Sequence, residues 1–471
     1  MFRDGTGPVF RKEKEPVDNM EMDELFDKLN ALVKEKKYRE LKAELIEMNE
    51  VDIANFMEDL NSEQTVVVFR MLPKELATDV FAALPVENQQ QIITSITDNE
   101  LSVIVNDLYV DDAVDMLEEL PANVVKRVLK NSNPDTRKLI NQFLNYPDDS
   151  AGSVMTAEYI GLRKTMTVRD AFEYIRENGV DKETIYTCYV TDNTRCLEGV
   201  ITVKDLLMNP YETVIGDIMD DNVIKVTTTE DQENVAMIFN DYDLLSLPVV
   251  DNEDRLVGII TVDDVMDVME EEATEDIQKM AAIIPSEKPY LKTDVLTLAR
   301  NRIPWLLVLM FSSLFTGAIL LKYENAFAAV PLLVTFVPML MDTGGNSGSQ
   351  ASTMIIRGMA VGDIELPDAA RVLWKEVRVG MICGFILASA NFVRLMIQYP
   401  GHTMISFVVV LSVFCTVIIA KSIGSMLPML AKAIHLDPAL VASPMLTTVV
   451  DAASLMIYFT FASKILGLMN N

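Results

Sequence analysis

From about residue 22 to residue 147 apolar residues recur at helical spacing, but each run is short. Breaks fall near Asn61-Ser62, Pro73, Pro85, Asp98, Asp111, Pro121 and Pro134, and Leu-Pro recurs at 72–73, 84–85 and 120–121. The interval is about 12 or 13 residues, too short for one unit to bury its own apolar face, so neighbouring units must stack. The pattern predicts an all-α, superhelical N-terminal domain over 22–147. Residues 1–21 carry no apolar stretch and read as a disordered leader rather than a cleaved signal peptide.

A second repeat occupies 148–270. GVITVKDLL begins at Gly199 and GIITVDDVM at Gly258, and matching starts lie upstream at Ser153 and Asp217. Each copy (148–210 and 211–270) reads strand, helix, strand, strand, helix. The polar turns TDNTR and DNEDR join the last two strands as hairpins. Residues 263–283 then read as one amphipathic helix, closed by Ile284-Pro285, with Asp264, Asp267, Glu271 and Glu275 on one face.

Beyond residue 300 the pattern becomes almost continuously apolar. Five stretches, about 303–321, 327–356, 379–398, 404–430 and 441–467, are long enough to cross a bilayer. The second is expected to be interrupted by Pro338 and by Gly344-Gly345-Asn346-Ser347-Gly348, and the fifth by Pro444. Broken backbone at that depth is tolerated where it lines a cavity. With the amino terminus inside, Arg302, Arg357, Arg371, Lys375, Arg378 and Lys432 fall on the cytoplasmic side, and an odd number of spans puts the carboxyl terminus outside.

Composition sharpens this division. The 471 residues are 50% hydrophobic yet carry a net charge of −30. Residues 301–471 hold 10 Lys and Arg against 8 Asp and Glu, which leaves 30 against 62 in the front part. The soluble part is therefore strongly acidic. It is unsuited to nucleic acid or to lying flat on anionic lipid, and suited to cations. Two His and four Cys without CxxC spacing argue against zinc or another soft-metal cage.

Two acids sit inside the apolar stretches. Asp451 lies in TTVVDAASLMIYF, where an ionised side chain costs on the order of 2.5–3.5 kcal/mol unless it meets water, a partner or an ion. It is a candidate ion ligand, and the alternative is pairing with a lysine such as Lys421. Asp342 stands beside Gly345, Asn346 and hydroxyl residues, whose hard oxygens suit magnesium or calcium. The alternative for that segment is close helix packing through small residues. Asp437 reads as a cytoplasmic-edge acid and a further candidate pore ligand, and the alternative for it is a simple loop acid. In the front part Asp111 and Asp115 share a helix face, and like charges so dense would repel unless cations lay between them.

The repeat at 148–270 resembles a CBS-domain pair. Together with the solenoid, five spans, Pro338 ahead of Gly345-Asn346, and LDPALVASPMLTTVVDAASLMIYF at 436–459, it resembles the MgtE family of magnesium channels over nearly the whole chain after residue 22. That resemblance implies a homodimeric multidomain membrane protein: a helical N domain, an α/β CBS pair and a five-span pore domain (300–471). Its pore would be lined by the second and fifth spans and carry Mg2+. Asp451 matches the pore carboxylate, and Pro338, Gly345 and Asn346 the pore-side signature. The helix at 263–283 matches a connecting, or plug, helix. The acids matching magnesium sensors are Asp79, Asp111, Asp115, Asp231, Asp243, Asp264, Asp267, Glu272, Glu275 and Asp276. Asp342 departs from the pattern, since a small residue is expected there. In the first CBS unit Thr202, Lys204 and Asp205 have the chemistry for a ribose, and the resemblance points to Tyr186 as a stacking residue. ATP as a regulator is therefore expected there and not in the second unit, where Asp263 adds negative charge.

The reading that results is a passive, magnesium-selective channel in the cell membrane, closed by cytosolic Mg2+. It is not an enzyme, since no nucleophile–base pair and no P-loop occur. The alternatives are a transporter of Co2+, Mn2+ or Ni2+, a CBS-regulated membrane enzyme, and a nucleotide-sensing scaffold.

Overall fold

The computed structural model describes residues 19–180, 182–286, 290–291, 293–441 and 443–467. Most of the expected leader lies outside them. The chain forms two compact units, one running to Val265 and the other starting at Met266.

In the first unit, helices α1 (Asn19–Lys34), α2 (Tyr38–Glu47) and α3 (Glu50–Glu58) lead into a regular series. The series comprises α4 (Ser62–Phe69), α5 (Lys74–Ala82), α6 (Val86–Ser95), α7 (Asp98–Asp107), α8 (Val110–Glu119), α9 (Ala122–Asn131) and α10 (Pro134–Phe143). The Leu-Pro pairs explain the period. Leu72, Leu84 and Leu120 are buried, and the prolines after them cap α5, α6 and α9. A proline forces the residue before it out of the helical region, so one helix ends while its last leucine points into the core. At α4, α7 and α10 the side chains of Asn61, Thr97 and Asn133 cap instead, each accepting a backbone N–H. Alternate helices then stack, α3 on α5, α5 on α7 and α7 on α9, which is the expected solenoid.

The CBS repeat follows after a single helical turn, α11 (Ala151–Val154). The first copy is β1 (Gly161–Leu162), α12 (Val168–Asn178), β2 (Thr187–Thr191), β3 (Leu197–Thr202) and α13 (Val203–Met208). The second is β4 (Val226–Thr227), α14 (Gln232–Tyr242), β5 (Ser246–Val250), β6 (Leu256–Thr261) and α15 (Val262–Met280). Both sheets pair their first two strands parallel and the last two antiparallel, with the register shift at the same place, Val190/Thr191 and Val249/Val250. The copies meet where Tyr189, fully buried, donates to or accepts from Ser246 Oγ at 2.7 Å and packs with Leu256 and Ile259. Helix α15 ends at Met280 rather than at Ile283. Ala282 is left-handed (φ 57°) and Ile283 N–H turns back to the Gln278 carbonyl, which closes the last turn.

The second unit holds α16 (Val295–Lys322), α17 (Glu324–Ala329), α18 (Val337–Ala360), α19 (Ala369–Gln398), α20 (Thr403–Ala433) and α21 (Ser443–Ile465). Four helices are long and apolar enough to cross a membrane among the described residues, namely α16, α19, α20 and α21. The other expected span, α18, has 24 residues, about 36 Å at helical rise, but is too polar to qualify by composition. Two expected interruptions are corrected. The Gly344–Gly348 run is continuous helix, and the irregular stretch lies earlier, in the 3-10 turn Pro331–Phe336, with Pro338 in the first turn of α18. Pro444 likewise sits at the start of α21 rather than within it. Glycine costs a helix about 1 kcal/mol per residue, and close packing offsets this here. A Cβ on Gly424 of α20 would lie 2.2 Å from the Gly348 carbonyl oxygen, and one on Gly344 would lie 2.7 Å from Ser454 Oγ of α21. Helices α18, α20 and α21 thus form the centre of the bundle.

Candidate functional site

Glycine packing turns one face of α18 into the bundle and leaves the other polar. Asp342 and Asn346, one turn apart, are exposed, while Gly344, Gly345 and Gly348 are buried. Asn346 Nδ2 donates to Asp342 Oδ1 at 3.1 Å. A Cβ on Gly345 would meet Thr447 of α21 at 3.2 Å. Asp451 lies one helical turn beyond Thr447, half-buried, with the Asp342 carboxylate near enough to repel it. The structure therefore brings Asp342, Asn346 and Asp451 to one region of two adjacent helices. Lys421, the alternative partner for Asp451, is buried in α20, and no ion pair joins the two among the described residues. A polar strip of this kind at membrane depth needs water or an ion opposite it.

Asp437 has another environment. It lies in the turn between α20 and α21, where Oδ1 accepts from Ala439 N–H at 2.7 Å and Oδ2 pairs with Lys279 Nζ of α15 at 2.6 Å. Lys279 also pairs with Glu275. Burial works against the ammonium, but the hydrogen bonds it donates to Asp437 and Glu275 outweigh it and hold its pKa above the usual lysine value. Asp276 is raised, by burial first and then by Asp437, with Lys279 and Arg357 opposing. Met280 packs beside Ile356 and Ala439. Asp267 and Glu272 are on the same helix, Asp267 exposed and Glu272 half-buried.

In the first unit the expected sensors separate into two groups. Asp111 of α8 faces a carboxylate cluster that also contains Asp112, Glu158, Glu183, Asp263 and Asp264. Asp111 Oδ1 and Glu183 Oε2 are buried without a hydrogen-bond partner. Burial, followed by repulsion from Asp264 and its neighbours, pushes Glu183 up to about 7 and Asp112 up to about 6. Asp111 is raised well above the carboxylate range by burial and then Asp112. Asp79 approaches the same region beside Tyr109, which burial and these acids push up to about 12. Asp115 is exposed on the next turn of α8. Asp231 and Asp243 serve α14 instead. Asp231 caps its start by accepting Glu233 N–H at 2.9 Å, and Asp243 ends it in a left-handed conformation (φ 50°).

Asp112, Glu158 and Glu183 are missing from the sequence-predicted set. The Asp111-Asp112 doublet is the one local hint, because Glu158 and Glu183 come from loops with no pattern of their own. Among the described residues no three His, Cys, Asp or Glu side chains converge on one metal-sized position. Two orphaned carboxylate oxygens in an acidic cluster do suit a cation that keeps part of its water shell, as Mg2+ does.

The nucleotide candidates gather at one end of the first CBS sheet. Thr202 pairs across from Thr187, Val203 N–H donates to the Tyr186 carbonyl at 3.0 Å, and the Tyr186 side chain is 69% exposed. Lys204 is exposed. Thr202 and Asp205 form the capping box of α13, as Thr261 and Asp264 cap α15. Leu245 stands where Tyr186 stands, since Val262 N–H donates to its carbonyl, and Asp263 follows Val262 as Lys204 follows Val203. The second copy therefore lacks both the ring and the cation.

Family models match three segments: "MgtE intracellular N domain" over 48–149, "CBS domain" over 151–211 and 215–271, and "Divalent cation transporter" over 337–461. The magnesium transporter MgtE of Thermus thermophilus is 37% identical over 91% of this chain and 95% of its own. The crystal structure of the soluble part of a magnesium transporter matches at TM-score 0.51 and 31% identity, covering 54% of this chain and 99% of the other. The cytosolic domain of the Mg2+ channel MgtE in complex with ATP matches at TM-score 0.49 and 37% identity, covering 52% and 99%.

Proposed function

Because this chain belongs to the MgtE family of divalent cation transporters, we propose that it is a homodimeric channel that admits Mg2+ passively into the cell. The observation that supports this most is the polar strip of Asp342, Asn346 and Asp451 on two glycine-packed helices of an otherwise apolar bundle. Carboxylate and amide oxygens are hard ligands. They hold a strongly hydrated dication through its waters and offer nothing to a soft metal. Helix α18 is then a fifth span, kept from lipid by water and by a second copy. Five spans starting from cytoplasmic N-terminal domains put the carboxyl terminus outside.

Gating follows from the soluble acids. At low cytosolic Mg2+ the cluster of Asp111, Asp112, Glu158, Glu183, Asp263 and Asp264 repels itself, and the helical domain and CBS pair tend to part. Bound Mg2+ removes the repulsion, favours the compact form, and fixes the start of α15, the connecting helix that restricts the pore. The ion shifts the population because it binds the compact form more tightly. Asp79, Asp115, Asp267 and Glu272 add to the field, whereas Asp231 and Asp243 bound α14 and Glu275 and Asp276 face Lys279. ATP modulates the gate through Tyr186, Thr202, Lys204 and Asp205 of the first CBS unit.

The test is Mg2+ flux into liposomes containing the purified full chain. Wild type should conduct, and should close as Mg2+ rises on the cytosolic face. Asp451→Ala should lose at least about tenfold in flux, in line with the loss of one charged ligand. No Mg2+ flux, with Co2+, Mn2+ or Ni2+ carried instead, would reassign the cargo.

A further inference from the structure

We propose that Lys279 is a built-in cation that holds the end of the connecting helix on the membrane bundle without Mg2+. This deepens the gating reading above and rests on it. The lysine bridges Glu275 on its own helix and Asp437 in the turn before α21, at 2.6 Å from the latter. With Glu275 one turn before Lys279, the intrahelical pair has the favourable orientation. The three carboxylates facing this point, Glu275, Asp276 and Asp437, are opposed by two cations, Lys279 and Arg357. Apolar contact of Met280 with Ile356 and Ala439 fixes the geometry. The lysine side chain is only 21% exposed, so solvent screens the pair weakly.

A divalent ion reaching Glu275 or Asp437 must therefore displace or share with an ammonium already there. That competition makes Lys279 a positioning residue. It keeps the helix docked as cytosolic Mg2+ falls and lowers the resting leak, while Mg2+ sensing rests with the cluster around Asp111.

The experiment compares the full-length wild type, Lys279→Met and Lys279→Arg in liposomes. Flux is measured against cytosolic Mg2+, and spin labels at exposed Ile277 and Leu430 report the separation of the helix from α20. The expected result for Lys279→Met is about a tenfold rise in flux at the lowest Mg2+, equivalent to roughly 1.4 kcal/mol of docking. Its label separation should broaden in chelator and recover on adding Mg2+, while Lys279→Arg behaves as wild type. The charge-swapped pair Lys279→Asp with Asp437→Lys should restore docking. Unchanged flux and an unchanged separation in Lys279→Met would overturn the assignment. A wild type that ignores cytosolic Mg2+ would instead refute the gating reading, and the label separation in chelator would still decide whether Lys279 holds the helix.

Discussion

Two acidic clusters in this protein have opposite electrostatic balances. Around Asp111 six carboxylates meet, the leading influences on Asp111, Asp112 and Glu183 are burial and neighbouring carboxylates, and two oxygens are left buried without a partner. Around Asp437 three carboxylates meet two cations, and Lys279 is held so firmly that its pKa rises despite burial. On the gating proposal the first cluster takes its cation from outside, whereas the second carries Lys279. An abundance of acid alone therefore does not mark a sensor. What sets the Asp111 cluster apart is its two orphaned carboxylate oxygens.

That contrast can be broken most directly by removing Mg2+. In the full chain, chelation should raise hydrogen exchange in α8 by about 100-fold, as expected for an ion present at about 100 times its dissociation constant. The last turn of α15 should change by less than about threefold, since its pairs remain. Equal changes in both regions would abolish the distinction.

A smaller effect is expected from neutralising part of the first cluster. Asp112→Asn with Glu183→Gln relieves repulsion that Mg2+ otherwise relieves. Flux at low cytosolic Mg2+ should fall by roughly tenfold, about 1.4 kcal/mol, and the remaining Mg2+ dependence should become shallower. Increased flux would mean that these acids hold the open form.

The pH dependence has a definite sign. Glu183 at about 7 and Asp112 at about 6 lie above their ordinary values, so the compact, metal-free form binds more protons than the separated one. Its stability is greatest below the ordinary carboxylate pKa and declines as pH rises through about 6 to 7. Without Mg2+, exchange in α8 should therefore be slower at pH 6 than at pH 7 by up to about tenfold, one proton of linkage over about one pH unit. With saturating Mg2+ the trend should flatten or reverse, because protons then compete with the ion. A metal-free trend in the other direction would show that the cluster is not buried.

The mildest perturbation is Asp115→Asn. Its side chain is exposed, so the midpoint of Mg2+ inhibition should move by less than about twofold, as for most surface changes. A larger shift would extend the sensor around α8.

The organisation along the chain is legible because its signals are local. Leu-Pro ends one helix and starts the next, so the solenoid period can be counted from letters. The CBS copies share register and bulge because ITVKD and ITVDD impose the same hairpin and the same helix cap. Asp451 is conspicuous because an acid in an apolar run is costly wherever it faces lipid. Legibility fails where the deciding neighbour is remote. Gly344–Gly348 reads as a break by propensity, yet it is helix, and its glycines serve close packing: Ser454 and Thr416 crowd Gly344, and the Gly348 carbonyl leaves no room for a Cβ on Gly424. Asp231 and Asp243 read as part of an acidic field, yet each ends a helix locally.

The sequence alone therefore determined the order of domains, the stacking period, the duplicated α/β unit, the apolar bundle and the acids inside it. All of these depend on residues a few positions apart. Only the tertiary structure decided which acids are compensated. Asp437 meets Lys279 across 158 positions, and Asp111 meets Glu183 and Asp264 across 72 and 153. Coulomb energy depends on distance and burial in the folded chain, neither of which is written in the spacing of residues along it.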